Sequence, residues 1–199
     1  MVPTMNDHEI AEIPPVVEAI RRDTEGMGFM MASEPQTGSL LRTLAASKPE
    51  GRFLELGTGT GMGTAWLLAG MDAASRIDTV EHDAKVLQVA ERHLGHDPRV
   101  TFHLVDGGTF LARSAPRQFD FIYADTWPGK FAHLDLALSL LRVGGIYVID
   151  DLLPQSSWPA GHAPRVPSVI ADLESRDGFV ATKLAWATGL MLVVRTSAG

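Results

Sequence analysis

RFLELGTGTGMGT, residues 52–64, decides how the rest of this chain is read. Phe53, Leu54 and Leu56 make an apolar run with Glu55 inside it. Gly57, Gly59, Gly61 and Gly63 follow at every second position, and an apolar segment runs from Ala65 to Ala69. This order predicts a buried strand, a tight turn and a helix. Glycine lets the turn take up positive φ and come close to a ligand, and the free N–H groups that open the helix then face that ligand. The dinucleotide fingerprint G-x-G-x-x-G places its third glycine five positions after its first. Counted from Gly57, Gly59 and Gly61, those positions are Met62, Thr64 and Trp66, so the fingerprint fails in every frame.

Downstream, strands and helices alternate. The first strand, 52–56, is followed by a helix near 61–70. A strand at 76–81 precedes a helix at 83–94 with Val86, Leu87, Ala90 and Leu94 on one side. A strand at 99–105 leads to a short helix near 108–113, and a strand at 119–124 to a helix at 130–142. In that helix Phe131, Leu134, Leu138 and Leu141 recur at helical spacing. Gly144 and Gly145 stop it before a fifth strand, 146–150. The loop 151–165 is rich in Pro and Ser, a helix carries Val166, Val169, Ile170 and Leu173, and two strands, 179–185 and 189–195, form a closing hairpin. The pattern predicts an α/β fold with a mostly parallel sheet of seven strands, a terminal antiparallel hairpin and helices on both faces. Upstream, residues 1–13 read as loose. A helix opens at Pro14 or Pro15 and ends by Gly26 and Gly28, and a second starts near Thr37. We read 1–199 as one domain, with 1–45 a helical cap on the core at 46–199.

The 199 residues suffice for one full core, since a chain of this size buries about 70% of its unfolded surface. A hydrophobic content of 45% is that of a globular chain. No apolar run approaches the roughly 20 residues of a membrane span, and the acidic MVPTMNDHEIAEIPP has no secretory pattern. The chain contains no cysteine, which removes disulfides, thiolate metal sites and cysteine nucleophiles and accords with a cytoplasmic location. A net charge of −7 disfavours nonspecific nucleic-acid binding.

In an open α/β sheet, ligands bind at the carboxyl ends of the strands. Those ends carry Gly57–Gly61, then Glu81, Asp106, Asp125, and Asp150 with Asp151. Acids at four consecutive strand tips point to a site. Asp106, before Gly107 and Gly108, reads either as an acceptor for a ligand amino group or as the cap of the short helix. Asp125, Asp150 and Asp151 repel one another unless neutralised. A hard cation such as Mg²⁺ does so and acidifies a bound substrate oxygen; the alternative is a metal-free site with one acid protonated or hydrogen-bonded. Lys130 reads as a base, as a group steering an anionic oxygen, or as an exposed helix-start lysine. Trp127 reads as a stacking or wall residue. Met27, Met30 and Met31 read as core fillers or pocket lining.

The acidic-x-G-x-G-x-G pattern from Glu55 to Gly61 resembles the nucleotide-binding motif of Rossmann-like S-adenosylmethionine (SAM) methyltransferases. FLELGTGTG (53–61), TVEHD (79–83), FDFIYADTWPGKF (119–131) and LLRVGGIYVIDD (140–151) together resemble the catechol/caffeoyl-CoA O-methyltransferases of that superfamily. SEPQTG (33–38) is similar to the segment that closes over the cofactor there. The resemblance implies a Rossmann-like doubly wound fold. It implies SAM held by Glu55, Gly57, Thr58, Gly59, Gly61, Gly63, Glu81, His82, Asp106, Gly107, Asp125 and Trp127, with Glu81 on the ribose hydroxyls. It implies a divalent metal, Mg²⁺ or a relative, on Asp125, Asp150 and Asp151, catalysis by Lys130 and Asp125, a small hydroxylated (catechol-like) substrate and a homodimer. The chain departs from the family in three places. Pro128 and Gly129 are inserted before the lysine, Asp151 stands where the family has asparagine, and the loop LLPQSSWPAGHAPR (152–165), with Trp158 and His162, differs. His162 reads as a bland loop histidine first and an acid/base group second. Two rivals stand beside a metal-assisted O-methyltransferase: a metal-independent SAM methyltransferase acting on an amine, carboxylate or hydroxylated tRNA base, and a non-catalytic SAM-binding protein.

Overall fold

The computed structural model describes residues 6, 8–10, 12–116 and 118–197. Its sheet has seven strands in the order β3-β2-β1-β4-β5-β7-β6. They are β1 (Arg52–Leu56), β2 (Arg76–Glu81), β3 (Val100–Leu104), β4 (Phe119–Ala124), β5 (Leu141–Ile149), β6 (Phe179–Leu184) and β7 (Leu190–Arg195). The first five pair in parallel, while β7 lies antiparallel between β5 and β6. The expected α/β architecture and closing hairpin are therefore present, and the strand order reverses between β1 and β4, where an open parallel sheet forms its ligand crevice.

The helices are α1 (Pro15–Gly26), α2 (Pro35–Ala46), α3 (Met62–Gly70), α4 (Ala84–Leu94), α5 (Gly107–Arg113), α6 (Leu134–Leu140) and α7 (Val166–Ser175). Alternation along the central strands sorts them onto two faces. Leu54, Leu56, Ile122, Ala124, Tyr147 and Ile149 share a buried cluster with residues of α5, α6 and α7. Phe53, Phe121, Tyr123 and Val148 share the other with α1 to α4. Each fully buried apolar side chain of this size contributes about 1.5–3 kcal/mol. The central strands are thus apolar on both sides, as a covered parallel sheet requires. Among the described residues no helix is long and apolar enough to cross a membrane.

Two boundaries differ from the sequence expectation. The helix expected at 130–142 is only Leu134–Leu140, and the fifth strand starts at Leu141 rather than 146. Trp127 O accepts from the N–H groups of Lys130, Phe131 and Ala132 at 2.9–3.1 Å, so 127–132 is a closed turn. At the other end Leu141 already pairs with Phe119, with a register shift before Phe121 that takes up the Gly144–Gly145 stretch. Of the stretch expected to be loose, residues 1–5, 7 and 11 lie outside the described residues; the described remainder of 1–13 contains no helix or strand.

Candidate functional site

The turn after β1 takes the positive φ that its glycines permit: +97° at Gly57, +54° at Gly59 and +94° at Gly61. The N–H groups of Gly57 and Thr58 donate to Val80 O at 2.9 and 3.1 Å, tying the turn to β2. Thr24 of α1 donates to Thr60 at 2.8 Å, tying it to the cap as well. Behind the turn sits Glu55, fully buried. Its Oε2 accepts from Thr64 and, at 2.6 Å, from Thr79, whereas Oε1 is buried without a partner. Burial pushes this carboxyl up to about 7 against the pull of the two threonines, and the charge of Glu81 adds to the rise.

Glu81, at the tip of β2, takes the Gly59 N–H at 3.0 Å on Oε2 and the His82 and Asp83 N–H groups at 2.8 and 3.0 Å on Oε1. Its carboxylate thus closes the rim of the turn, with exposed His82 alongside at 3.0 Å. Asp106 caps α5 through the Thr109 N–H at 2.8 Å, which holds its carboxyl below the ordinary range. Glu81, Asp106, Gly107 and Trp127 line a cavity of about 300 Å³. It adjoins one of about 250 Å³ in which Phe29, Gly59, Gly63, Asp125 and Lys130 meet. A third, of about 390 Å³, shares Ser33, Asp125 and Asp151 with the second and opens past Met30, Met31 and Trp158. Asp125 therefore stands at the junction of a long cleft and a side pocket. Met30 and Met31 are pocket lining and exposed, not core fillers.

The three aspartates come together through partners drawn from distant parts of the chain. Asp150 is 2% exposed. Its Oδ2 accepts from the Tyr123 hydroxyl at 2.8 Å, and its Oδ1 accepts from Thr188 and from the Asp151 N–H at 2.6 Å. Ser33 joins Tyr123 to Asp125, lying 3.2 Å from each. Asp151 has φ +63°; its Oδ1 accepts from Gln155 at 2.6 Å and its Oδ2 lies 3.9 Å from Lys130 Nζ. Burial and the neighbouring Asp150 and Asp151 hold the Asp125 carboxyl well above its ordinary range, and burial together with Asp151 raises that of Asp150.

This donor set does not fit a divalent ion as it stands. Both oxygens of Asp150 are engaged by internal donors, one oxygen of Asp151 is held by Gln155, and the other faces an ammonium. Among the described residues no group of three or more His, Cys, Asp or Glu side chains is disposed to hold a metal. The expected ligand set of Asp125, Asp150 and Asp151 is therefore a hydrogen-bonded network rather than a cage of free carboxylate oxygens.

Lys130 is not the exposed helix-start lysine of one sequence reading; it is 2% exposed. The closed turn at 127–132 accounts for this. Gly129 takes φ +88°, its carbonyl accepts the Tyr147 hydroxyl at 2.6 Å, and the turn directs the lysine inward. His162 is likewise no bland loop residue: it is 2% exposed and its Nε2 donates to the Asp151 carbonyl at 2.9 Å. Trp158 stacks on it at 4.4 Å and Phe131 meets it edge-on at 4.7 Å, and the burial lowers its pKa. Tyr123, Ser33, Thr188 and Gln155 went unmarked in the sequence.

A methyltransferase-domain family model matches residues 54–152. The chain is 30% identical over 149 residues to a protein of Mycolicibacterium vanbaalenii provisionally named an O-methyltransferase, covering 72% of this chain and 65% of that one. It is 30% identical over 127 residues to the catechol O-methyltransferase of Mycobacterium tuberculosis, covering 62% and 58%. The match thus spans somewhat less than two thirds of the length of these curated relatives. In fold, it is similar to the O-methyltransferase TomG of Streptomyces achromogenes, which is involved in tomaymycin synthesis and was solved with SAM. The TM-score is 0.79 at 22% identity, covering 94% of this chain and 92% of that one.

Proposed function

We propose that this chain, which is similar to O-methyltransferases including the catechol O-methyltransferase of Mycobacterium tuberculosis, moves a methyl group from SAM to a hydroxyl of a small acceptor. One observation carries the reading. A single cleft runs from Glu81 and Asp106, past the glycine turn, to Gly63, and meets a side pocket at Asp125. A nucleoside with a cationic tail matches such a cleft: acids stand at its nucleoside end, and at the other the unpartnered Oε1 of Glu55 lies behind the Gly63 backbone. Glu81 and Asp106 would hold the nucleoside end, Trp127 would wall it, and Gly57, Thr58, Gly59, Gly61 and Gly63 leave the backbone room. Bound SAM supplies an activated sulfonium methyl group.

The chain's own residues do the rest. The side pocket takes the acceptor between Met31 and Trp158 and excludes water there. Asp125, raised by burial and by its neighbours, takes the hydroxyl proton on its carboxylate. Lys130 steers the oxygen that has lost it. No step runs through a metal. A cytoplasmic homodimer belongs to the same reading.

Calorimetry with S-adenosylhomocysteine tests the cofactor half. We expect micromolar binding that Glu81→Ala weakens by about tenfold or more, since a charged acceptor is lost. Incubation with SAM and a panel of hydroxylated aromatics, catechols first, then tests transfer by product mass. No binding of S-adenosylhomocysteine to the folded protein would remove the proposal.

A further inference from the structure

We infer that the ammonium of Lys130 stands in place of a divalent ion, so that the acceptor is held through one oxygen and the class of acceptor is a single phenolic hydroxyl rather than a chelating diol. The inference rests on the SAM reading above and deepens it. Lys130 is the unusual group here. Its side chain is 1% exposed, yet among the described residues it makes no hydrogen bond, and the nearest carboxylate oxygen, Asp151 Oδ2, is 3.9 Å away. An ammonium carries three donors, and these are left to the cavity rather than to acceptors of the protein. These donors border the cavity that Asp125, Asp151, Trp127 and His162 also line. An oxygen arriving from the side pocket supplies the missing acceptor.

Charge and geometry point the same way. Asp125, Asp150 and Asp151 crowd acidic groups together, and among the described residues Lys130 places its ammonium within 4 Å of one of them. A second, doubly charged cation between Asp125 and Asp151 would lie close to that ammonium, and the like charges would repel. The lysine is fixed there: the Trp127 carbonyl accepts its N–H at 3.0 Å, and its Nζ lies 5.7 Å from the Phe131 ring centre. The same site gains a negative charge at Asp151, which offsets the lysine. A metal grips two adjacent oxygens of a diol, whereas an ammonium needs one. The vicinal diol is therefore dispensable.

Three titrations test this on the full-length protein, with S-adenosylhomocysteine binding measured first; if that fails, the cofactor reading fails and the metal question is not reached through it. Mn²⁺ is titrated into the loaded wild type by calorimetry. We expect no binding at millimolar metal, and Mn²⁺ bound by loaded Lys130→Met, where Asp125 and Asp151 no longer face an ammonium. Para-nitrophenol is then added to the loaded wild type. We expect it to bind with the absorbance of its phenolate, and that signature to be lost in Lys130→Met. Mn²⁺ binding by the wild type that Asp125→Asn abolishes would overturn the inference. So would Lys130→Met that binds S-adenosylhomocysteine but gains no metal, or para-nitrophenol that fails to bind or binds uncharged. If Lys130→Met does not fold, the two wild-type titrations decide alone, metal exclusion with a bound phenolate supporting the inference and either contrary result overturning it.

Discussion

Glu55 carries the clearest consequence at the scale of a single residue. The strand places it in the core because it points to the same covered face as Phe53, and the threonines at 64 and 79 satisfy only one of its oxygens. Its carboxyl rises from 4.5 to about 7. Between those values the folded protein keeps a proton that the unfolded chain has released. A carboxyl raised in this way therefore costs stability as pH rises through the window, and above it the loss is complete. We predict that the unliganded protein melts at lower temperature near pH 8 than near pH 5, with Glu55 responsible for about 3 kcal/mol. Asp125 and Asp150 are raised too and contribute with the same sign. The difference between wild type and Glu55→Gln isolates the Glu55 share, so melting curves of both across that range form the measurement. Parallel curves for the two proteins would refute the assignment. A cationic ligand group at Oε1 would reverse the effect, since it favours the ionised carboxyl.

At the scale of the element, the turn from Asp125 to Ala132 sets the lysine. A Cβ on Gly129 would lie 2.5 Å from Leu56 Cδ1 and 2.8 Å from the Tyr147 hydroxyl, and φ there is +88°. Gly129→Ala must move the turn or the strands beneath it. We predict a loss of about 1–3 kcal/mol in stability from the overpacking and the strained φ. Para-nitrophenol affinity should fall while that for S-adenosylhomocysteine changes little; equal losses of both would mean that the turn supports the whole cleft. This element also marks where sequence reading stopped. The strands, the glycine turn and the hairpin were legible because apolar alternation and glycine spacing are local signals. The acids at the strand tips were legible because the sheet topology collects them. The true start of the helix expected at 130–142 was not, since the spacing of Phe131, Leu134 and Leu138 is helical whether or not the first turn closes on Trp127 O. Tyr123 read as one more apolar strand residue in FIYA, and nothing local marks a hydroxyl bound for Asp150. Ser33 reaches Asp125 across 92 positions and Thr188 reaches Asp150 across 38, distances over which a single sequence carries no pairing signal. His162 is buried only because Trp158 and Phe131 enclose it, which its loop setting conceals.

For the whole molecule, the question is whether the first 45 residues form a cap that folds with the sheet or a separate piece upon it. We propose one cooperative unit. Val17, Ile20, Leu41 and Ala45 share a buried cluster with Phe53, Trp66, Phe121 and Tyr123, so neither part has a finished core alone. One close joint is Gly38 of α2 against the indole of Trp66 on α3, which is itself fully buried. The ring fills the space a Cβ would need, and a buried indole cannot swing aside. Gly38→Ala should therefore cost about 1–3 kcal/mol by overpacking. For a chain of this length that is roughly 2–12 °C in melting temperature. If the cap and sheet are one unit, helical circular dichroism and tryptophan fluorescence will report a single transition in wild type, and both will move down together in the variant. A cap that is merely docked gives another result: part of the helical signal melts early in Gly38→Ala, while a second transition, from the sheet, stays at the wild-type temperature. Since the cap also supplies Thr24 to the glycine turn and Ser33 to Asp125, a docked cap would leave the site to assemble in a second step. Affinity for S-adenosylhomocysteine would then fall as the early transition is crossed, well below the temperature at which the sheet unfolds.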